Sequence, residues 1–185
     1  MSRDAASLYR IKITLRELRP PIWRRIELEG NTSLYKLHQI IQAAFGWTNS
    51  HLHQFIVAGE CYGESVPEAD FELRSGRRFK VAQAAPEVGD VFLYEYDFGD
   101  GWVHEINVEG TLKPEAGASY PRCTKGKRSG PPEDIGGPWG YEGFLEAIAD
   151  PEHEEHEEYL EWVGGSFDLE ACDLDAINAA LKHLT

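Results

Sequence analysis

Residues 91–108 read Val-Phe-Leu-Tyr-Glu-Tyr-Asp-Phe-Gly-Asp-Gly-Trp-Val-His-Glu-Ile-Asn-Val, and this stretch decides the fold. Aromatic and β-branched residues, which favour strands, fill both of its ends. Gly99-Asp100-Gly101 lies between them and supplies the positive φ angles that a tight connection needs. The stretch therefore predicts a β-hairpin, with arms from Val91 to Phe98 and from Trp102 to Val108.

The chain before the hairpin predicts two strands, a helix and a further strand. Apolar and polar residues alternate from Tyr9 to Leu15 and again from Ile22 to Leu28, which is typical of half-buried strands. A helix is predicted next, with Thr32 as its N-cap and Gly46 as its left-handed C-terminal residue. A strand follows over residues 51–57.

The chain after the hairpin predicts an irregular segment and then helices. Residues 110–138 are rich in Gly and Pro, which interrupt regular structure. Helices are predicted from Tyr141 to Ala149, after Asp150-Pro151, and from Leu174 to Leu184, the last with Asp173 as its N-cap. The fold class is therefore α+β: a mostly antiparallel sheet packed with an N-terminal helix and a C-terminal helical segment.

We expect residues 1–185 to form a single domain, because this length suits one hydrophobic core. Residues 8–140 are the predicted sheet-containing core with one helix, and residues 141–185 are an acidic helical tail packed on it. The tail carries 13 acidic residues and one basic residue, so it contributes most of the net charge of −14 of the whole chain. The tail is either a solvated helix face or a contact surface for a basic partner.

The composition disfavours several classes of protein. No stretch has the length and apolar character of a signal peptide or a membrane span, so we expect no membrane partner. The three cysteines are far apart and form no Cys-x-x-Cys pair, which indicates a reducing cytoplasm and argues against a zinc finger. A protein partner is favoured over nucleic acid, and a homo-oligomer is left open.

Nucleic-acid binding would require a local basic patch, because the negative net charge repels phosphates. The sequence contains two candidate clusters. The first is Arg24 and Arg25, with Arg16 and Arg19 nearby, and the second lies in the predicted loop before Pro131. The candidate patch comprises Arg24, Arg25, Arg122, Lys125, Lys127 and Arg128.

His51 and His53 are two residues apart in a predicted strand, so both side chains are expected on one face. Two imidazoles at this spacing can share a divalent metal when a carboxylate or a third histidine completes the set. Metal binding is therefore one interpretation. Hydrogen-bonded structural histidines and proton transfer without a metal are the others.

The hairpin carries three more polar candidates: Asp97, Asp100 and His104. Its apolar neighbours on the strand predict that His104 points toward the core, where a buried carboxylate would hold it, or toward a pocket opening from the core. A turn explains one aspartate, because Asp side chains bond nearby backbone N–H groups. Two aspartates near a histidine favour a shared network, catalytic or structural.

Glu133-Asp134 follows Pro131-Pro132 and precedes Gly136-Gly137. The prolines fix the backbone, while the glycines let it approach another segment closely. We expect the two carboxylates to lie against Arg24-Arg25, as a structural clamp, or against the histidines, as a functional site. The candidate polar cluster thus comprises His51, His53, Asp97, Asp100, His104, Glu133 and Asp134.

Three motifs occur in an order that resembles one protein family. They are Pro21-Ile22-Trp23-Arg24-Arg25 with Phe45-Gly46-Trp47 and His51-Leu52-His53-Gln54-Phe55; Tyr96-Asp97-Phe98-Gly99-Asp100 with Trp102 and His104; and Pro131-Pro132-Glu133-Asp134 with Gly136-Gly137 and Gly140-Tyr141. The chain resembles the plasmid Ri open-reading-frame-three-like family from about Tyr9 to Leu184. Members are often described as passenger proteins of insertion elements, and the resemblance implies no particular biochemical activity.

Three hypotheses about function follow, in order of preference. The first is a non-catalytic interaction or regulatory module associated with mobile elements. The second is a metal-dependent or acid–base enzyme in which His51, His53, Asp97, Asp100 and His104 converge on one pocket. The third is a DNA-binding accessory protein that uses the basic clusters.

Overall fold

The computed structural model describes residues 7–65 and 73–184, and within them an eight-stranded sheet is accompanied by five helices. The strands are β1 (Leu8–Leu15), β2 (Trp23–Glu29), β3 (His53–Val57), β4 (Glu60–Gly63), β5 (Arg74–Ser75), β6 (Val91–Tyr96), β7 (Trp102–Leu112) and β8 (Arg122–Lys127). The helices are α1 (Leu34–Phe45), α2 (Val81–Ala84), α3 (Gly137–Ala149), α4 (His156–Trp162) and α5 (Leu174–Lys182).

The strand order in the sheet is β5-β4-β3-β6-β7-β1-β2-β8. All pairings are antiparallel except that of β4 with β5. The predicted hairpin is present, with Tyr96 paired to Trp102 at its end and Val91 paired to Asn107. The α+β fold class with a mostly antiparallel sheet is confirmed.

The two faces of the sheet differ in chemistry. Ile13 and Arg24 are cross-strand partners on the face toward α1, where Arg24 Nε donates a hydrogen bond of 2.8 Å to the carbonyl of Ala44. The opposite face carries charged residues, among them Arg25 paired with Glu109. The alternation in β1 and β2 therefore separates an apolar core from an ionic surface.

The ends of α1 follow from its sequence, with one shift. Its N-cap is Ser33, whose hydroxyl accepts a hydrogen bond from the backbone N–H of Lys36, and not Thr32 as predicted. Thr32 instead uses its backbone carbonyl to accept the N–H of Val81. Gly46 ends the helix with a φ of 77°, in the left-handed conformation that was predicted.

Three other elements depart from the predicted boundaries. Strand β8 lies inside the segment predicted to be irregular, where Gly126 allows close approach: a Cβ there would stand 2.7 Å from Cys172 Sγ. The strand predicted over 51–57 begins only at His53, so His51 lies in the preceding bend. The helix predicted after Asp150-Pro151 begins at His156.

The C-terminal helix α5 contacts both β8 and α1. Its N-cap is Asp173, as predicted, and its side chain accepts the N–H of Ala176. The Asn178 side chain bonds both the N–H and the carbonyl of Cys123, at 2.8 and 2.9 Å. These two hydrogen bonds attach α5 to β8, the last strand of the sheet. None of the described helices has the length and apolar character required to cross a bilayer.

Candidate functional site

The site begins at the hairpin turn, which Asp97 organises. Asp97 has a φ of 59°, and its Oδ1 accepts hydrogen bonds from the N–H groups of Gly99 and Asp100. Its own N–H donates to the carbonyl of Leu52 at 2.9 Å. The backbone therefore holds Asp97 against the segment that contains His51.

Asp100 connects this turn to the loop of residues 131–137. Its Oδ2 accepts a hydrogen bond of 3.0 Å from the N–H of Gly136. A Cβ atom on Gly137 would stand only 2.2 Å from the Asp100 carbonyl oxygen, so this approach requires glycine. Asp100 thus acts as a connector that brings the loop, with Glu133 and Asp134, to the hairpin.

His51 lies at the centre of three carboxylates. Its Nε2 is 2.6 Å from Asp134 Oδ1, 3.5 Å from Asp97 Oδ2 and 3.8 Å from Glu133 Oε2. We call these four residues, His51, Asp97, Glu133 and Asp134, the His51 cluster. Its side chains range from nearly buried Asp97 to exposed Asp134, so solvent reaches one side of the cluster.

Glu133 is positioned by the residues around it. Its Oε1 accepts hydrogen bonds from the Thr48 N–H at 2.8 Å and from the Tyr96 hydroxyl at 3.0 Å. The Tyr96 oxygen in turn accepts the N–H of Ser50 at 3.0 Å. Tyr96 was part of the hairpin motif but not among the predicted site residues. The signal that could have identified it is its place beside Asp97 on the strand that ends at the turn.

The carboxylates determine the protonation of His51. Desolvation lowers the pKa of His51, but the hydrogen bond with Asp134 and the charges of Asp97, Asp134 and Glu133 outweigh it, so the pKa lies above its ordinary value. Burial, followed by the hydrogen bond to Glu133, raises the pKa of the Tyr96 phenol. Tyr96 therefore remains a hydrogen-bond donor near neutral pH.

His53 occupies a different environment from His51. Because β3 begins at His53, the two do not share a strand face as predicted. The His53 ring stacks on His38, with centroids 3.5 Å apart and planes at 5°. Burial, reinforced by His38, lowers the pKa of His53 to about 3, so both stacked rings remain neutral at neutral pH. His51 and His53 nevertheless both line one cleft of about 420 Å³, with Ser50, Glu64, Leu73 and Phe98.

His104 lies in the core, away from the His51 cluster. It is fully buried, with the rings of Phe45, Trp47 and Tyr94 at centroid distances of 4.9 to 5.2 Å. The expected partner was a buried carboxylate, but Nδ1 bonds the carbonyl of Trp102, and Nε2 has no hydrogen-bond partner among the described residues. Burial lowers the pKa of His104 to about 3.

The candidate basic patch is largely neutralised by local carboxylates. Arg25 pairs with Glu109, Arg122 with Glu27 and Glu115, and Arg128 with Glu170. Arg24 is buried on the opposite face of the sheet from Arg25. Lys125 and Lys127 are exposed. The predicted clamp between Arg24-Arg25 and Glu133-Asp134 is not formed, since those carboxylates lie beside His51.

The His51 cluster has the chemistry of a divalent cation site. One atom each of His51, Asp97 and Asp134 can be chosen so that all three lie within 4.8 Å of one another. One imidazole and two or three carboxylates suit divalent ions such as Mn²⁺ and Zn²⁺. Without a cation, the same residues form a histidine with a raised pKa beside three carboxylates.

The fold and the site define a class: an α+β protein in which an open cluster of one histidine and three carboxylates lies beside the turn of the central hairpin. More particularly, the chain belongs to the plasmid pRiA4b ORF-3-like protein family, whose model matches residues 7–176.

Two similar proteins, one known by sequence and one by structure, extend over nearly the whole chain. The uncharacterised protein y4hQ of Sinorhizobium fredii (strain NBRC 101917 / NGR234) is 41% identical over 181 residues, which cover 97% of this chain and 93% of that protein. The crystal structure of MM3350 from Methanosarcina mazei Go1, a protein of unknown function, is similar with a TM-score of 0.83 and 37% identity. That match covers 91% of this chain and 96% of the other. These relatives support the family and the fold but name no biochemical activity.

Proposed function

We propose that the protein binds a divalent first-row metal ion at the His51 cluster and uses it to activate water or polarise a substrate in the adjoining cleft. The observation that carries the proposal is the convergence of His51, Asp97 and Asp134 ligand atoms within 4.8 Å of one another. These residues come from three separate segments of the chain. Glu133 adds a further carboxylate, 3.8 Å from His51 Nε2.

Electrostatics supports a cation in particular. Three carboxylates share one imidazole that carries at most a single positive charge, so the cluster has excess negative charge even when His51 is protonated. A divalent ion would displace the His51 proton and neutralise that excess. The cleft lined by His51 and His53 gives a substrate access to the same position.

Calorimetric titration of chelator-treated protein with MnCl₂ and ZnCl₂ tests the proposal. We expect one ion per chain, and we expect Asp97→Asn and Asp134→Asn each to weaken binding at least about tenfold. Asp175→Asn removes an exposed carboxylate of α5 outside the cluster and is the matched control. If neither metal binds, or if the three variants behave alike, the proposal fails.

An interaction module is the second candidate, and it rests on Trp139. This side chain is 88% exposed in the first turn of α3. A tryptophan exposes a large apolar surface to water when it is not covered, and tryptophans are enriched in protein interfaces. We propose a second copy of the chain as the partner. Sedimentation should then give a mass above 20.9 kDa for the wild type and about this mass for Trp139→Ala. If both sediment as monomers, self-association is excluded.

Two broader features complete the proposal. We propose a cytoplasmic location, which the unpaired cysteines Cys61, Cys123 and Cys172 support.

The association with mobile elements stays a prediction from the family resemblance. We do not propose DNA binding, because most arginines of the candidate patch are bound to carboxylates or buried.

A further inference from the structure

We propose that the cavity between the C-terminal end of α1 and the α4–α5 segment binds a small organic carboxylate with an apolar body, and that Arg24 receives its carboxylate group. The proposal does not depend on the His51 cluster. Its basis is a buried arginine without an acidic partner at the wall of a mostly apolar cavity.

Arg24 is the unusual residue. It is only 2% exposed, and no carboxylate of the described residues forms an ion pair with it. Its Nε donates to the carbonyl of Ala44, and its Nη1 donates to the carbonyls of Trp23 and Lys127. Nη2 makes no hydrogen bond to a described residue. The guanidinium also lies over the Phe45 ring, 5.0 Å from its centroid. None of these partners carries a full negative charge, and a buried cation is costly unless an anion pairs with it.

The cavity beside Arg24 has a volume of about 730 Å³. This is within the usual range of small-molecule sites. Its lining is mostly apolar and includes Phe45, Pro131, Trp162, Val163, Phe167 and Ile177. An anion alone would leave this surface exposed to water, whereas an amphiphilic anion would cover it.

The two acidic residues of the lining, Glu133 and Asp173, form no ion pair with Arg24, and each accepts hydrogen bonds from other groups. Glu133 accepts hydrogen bonds from Thr48 and Tyr96. Asp173 caps α5 by accepting the N–H of Ala176. Burial lowers the pKa of Arg24, while the nearby thiols Cys172 and Cys123 oppose that shift. An arginine nevertheless stays protonated at neutral pH, so the guanidinium charge remains available to a ligand.

The hydrogen-bonding capacity of Arg24 favours a carboxylate over a phosphate. Two of its three nitrogens are engaged with backbone carbonyls, so only Nη2 offers free donors. The two oxygens of one carboxylate can accept the N–H groups of Nη2, whereas a dianionic phosphate would require further donors. We therefore assign the ligand class as aliphatic or aromatic carboxylates.

Titration with octanoate and with 1-octanol tests the proposal, because the two share an apolar chain and differ in charge. We expect octanoate to bind at one site and octanol to bind at least about tenfold more weakly. Octanoate should also protect Cys172, which lines the cavity, from alkylation, as followed on its own peptide by mass spectrometry. No octanoate binding at millimolar concentration, or equal binding of the two compounds, would overturn the proposal.

Two variants of α5 locate the binding site without disturbing Arg24. Ala176 and Ala179 are both exposed on α5, but Ala176 lines the cavity and Ala179 does not. Ala176→Phe should fill the cavity and weaken octanoate at least about tenfold, while Ala179→Phe should leave binding unchanged. Unchanged binding by Ala176→Phe would place the ligand elsewhere and refute the proposal. Neither alanine belongs to the proposed ligand set of His51, Asp97 and Asp134, so both variants should bind Mn²⁺ like the wild type.

Discussion

The Tyr96 hydroxyl donates a hydrogen bond of 3.0 Å to Glu133 Oε1 and accepts one of 3.0 Å from the Ser50 backbone. One phenol therefore connects the hairpin turn that follows β6, the segment of Ser50 and His51, and the 131–137 loop. These three segments carry all four residues of the His51 cluster. The geometry of the proposed metal site depends on this connection.

Replacing Tyr96 with phenylalanine should weaken metal binding without removing a ligand. Loss of an outer hydrogen-bond partner typically reduces metal affinity roughly tenfold or more. Tyr9→Phe is the control, because the Tyr9 hydroxyl, in β1, has no hydrogen bond to a described residue. Competition titration against a chelating dye measures both. Equal affinity of Tyr96→Phe and the wild type would show that the phenol does not position the site.

The stability of the metal-free protein should fall as pH rises through the titration of His51. The folded-state pKa of His51 lies above its ordinary value of 6.5, so the protonated form stabilises the fold fully below pH 6.5. This contribution is lost as pH rises through the folded-state pKa. The effect is small because the side chain is 30% exposed and solvent screens its ion pairs.

Urea unfolding of wild type and His51→Gln at pH 6 and about pH 8 measures this effect. We expect the wild type to lose more stability than the variant over that interval. Metal affinity should change in the opposite direction, rising with pH, because the ion competes with the His51 proton. Identical pH dependence in the two proteins would show that His51 is not coupled to the carboxylates.

His104 should make the protein sensitive to acid, with the opposite sign. Its pKa is lowered to about 3 in the folded chain, so the unfolded chain binds a proton first as pH falls below 6.5. The folded state is therefore fully stable with respect to His104 above pH 6.5, and it loses stability as the pH falls from 6.5 toward 3. One such group contributes up to about 1.4 kcal/mol per pH unit.

His104→Phe keeps a ring in the aromatic cluster but removes this titration. We expect its loss of stability between pH 6 and pH 4 to be smaller than that of the wild type by about 2 kcal/mol. His183→Gln, at an exposed histidine, should behave like the wild type. If the losses of His104→Phe and the wild type are equal, His104 is not buried in its neutral form.

Gly137→Ala and Gly143→Ala form a matched pair on helix α3. Gly137 has a φ of 71°, and its Cβ would clash with the Asp100 carbonyl oxygen at 2.2 Å, whereas a Cβ on Gly143 meets nothing within 4 Å. Gly137→Ala should destabilise by about 2 kcal/mol or more and weaken metal binding, because it pushes the loop from the turn. Gly143→Ala should stabilise by about 0.5–1 kcal/mol. Thermal unfolding compares them, and a neutral Gly137→Ala would contradict the close approach.

Local sequence signals predicted the hairpin, the cap of α5 and the left-handed Gly46, because each depends on residues adjacent in the chain. The pairing of β8 with β2 was not predicted, since its glycine reflects close approach by Cys172 and not a turn. The stacking of His53 on His38 could not be predicted either, because only tertiary packing brings β3 and α1 together.

The candidate site could likewise be predicted only in part from the sequence. The sequence offered two positions for Glu133-Asp134, beside the arginines or beside the histidines, and only the folded loop distinguishes them. The strand alternation in β2 places Arg24 and Arg25 on opposite faces, so one clamp could not use both. For His104 the pattern predicted the burial but not the partner, which is a backbone carbonyl of its own strand.

Anomalous diffraction from crystals grown with MnCl₂ tests the metal site most directly. We expect one strong peak at about 2.0–2.3 Å from His51 Nε2 and from carboxylate oxygens of Asp97 and Asp134. In crystals of Asp134→Asn that peak should be weak or absent. No peak at the cluster, or a peak only at exposed acids of α4 such as Glu157 and Glu158, would contradict a metal site at the His51 cluster.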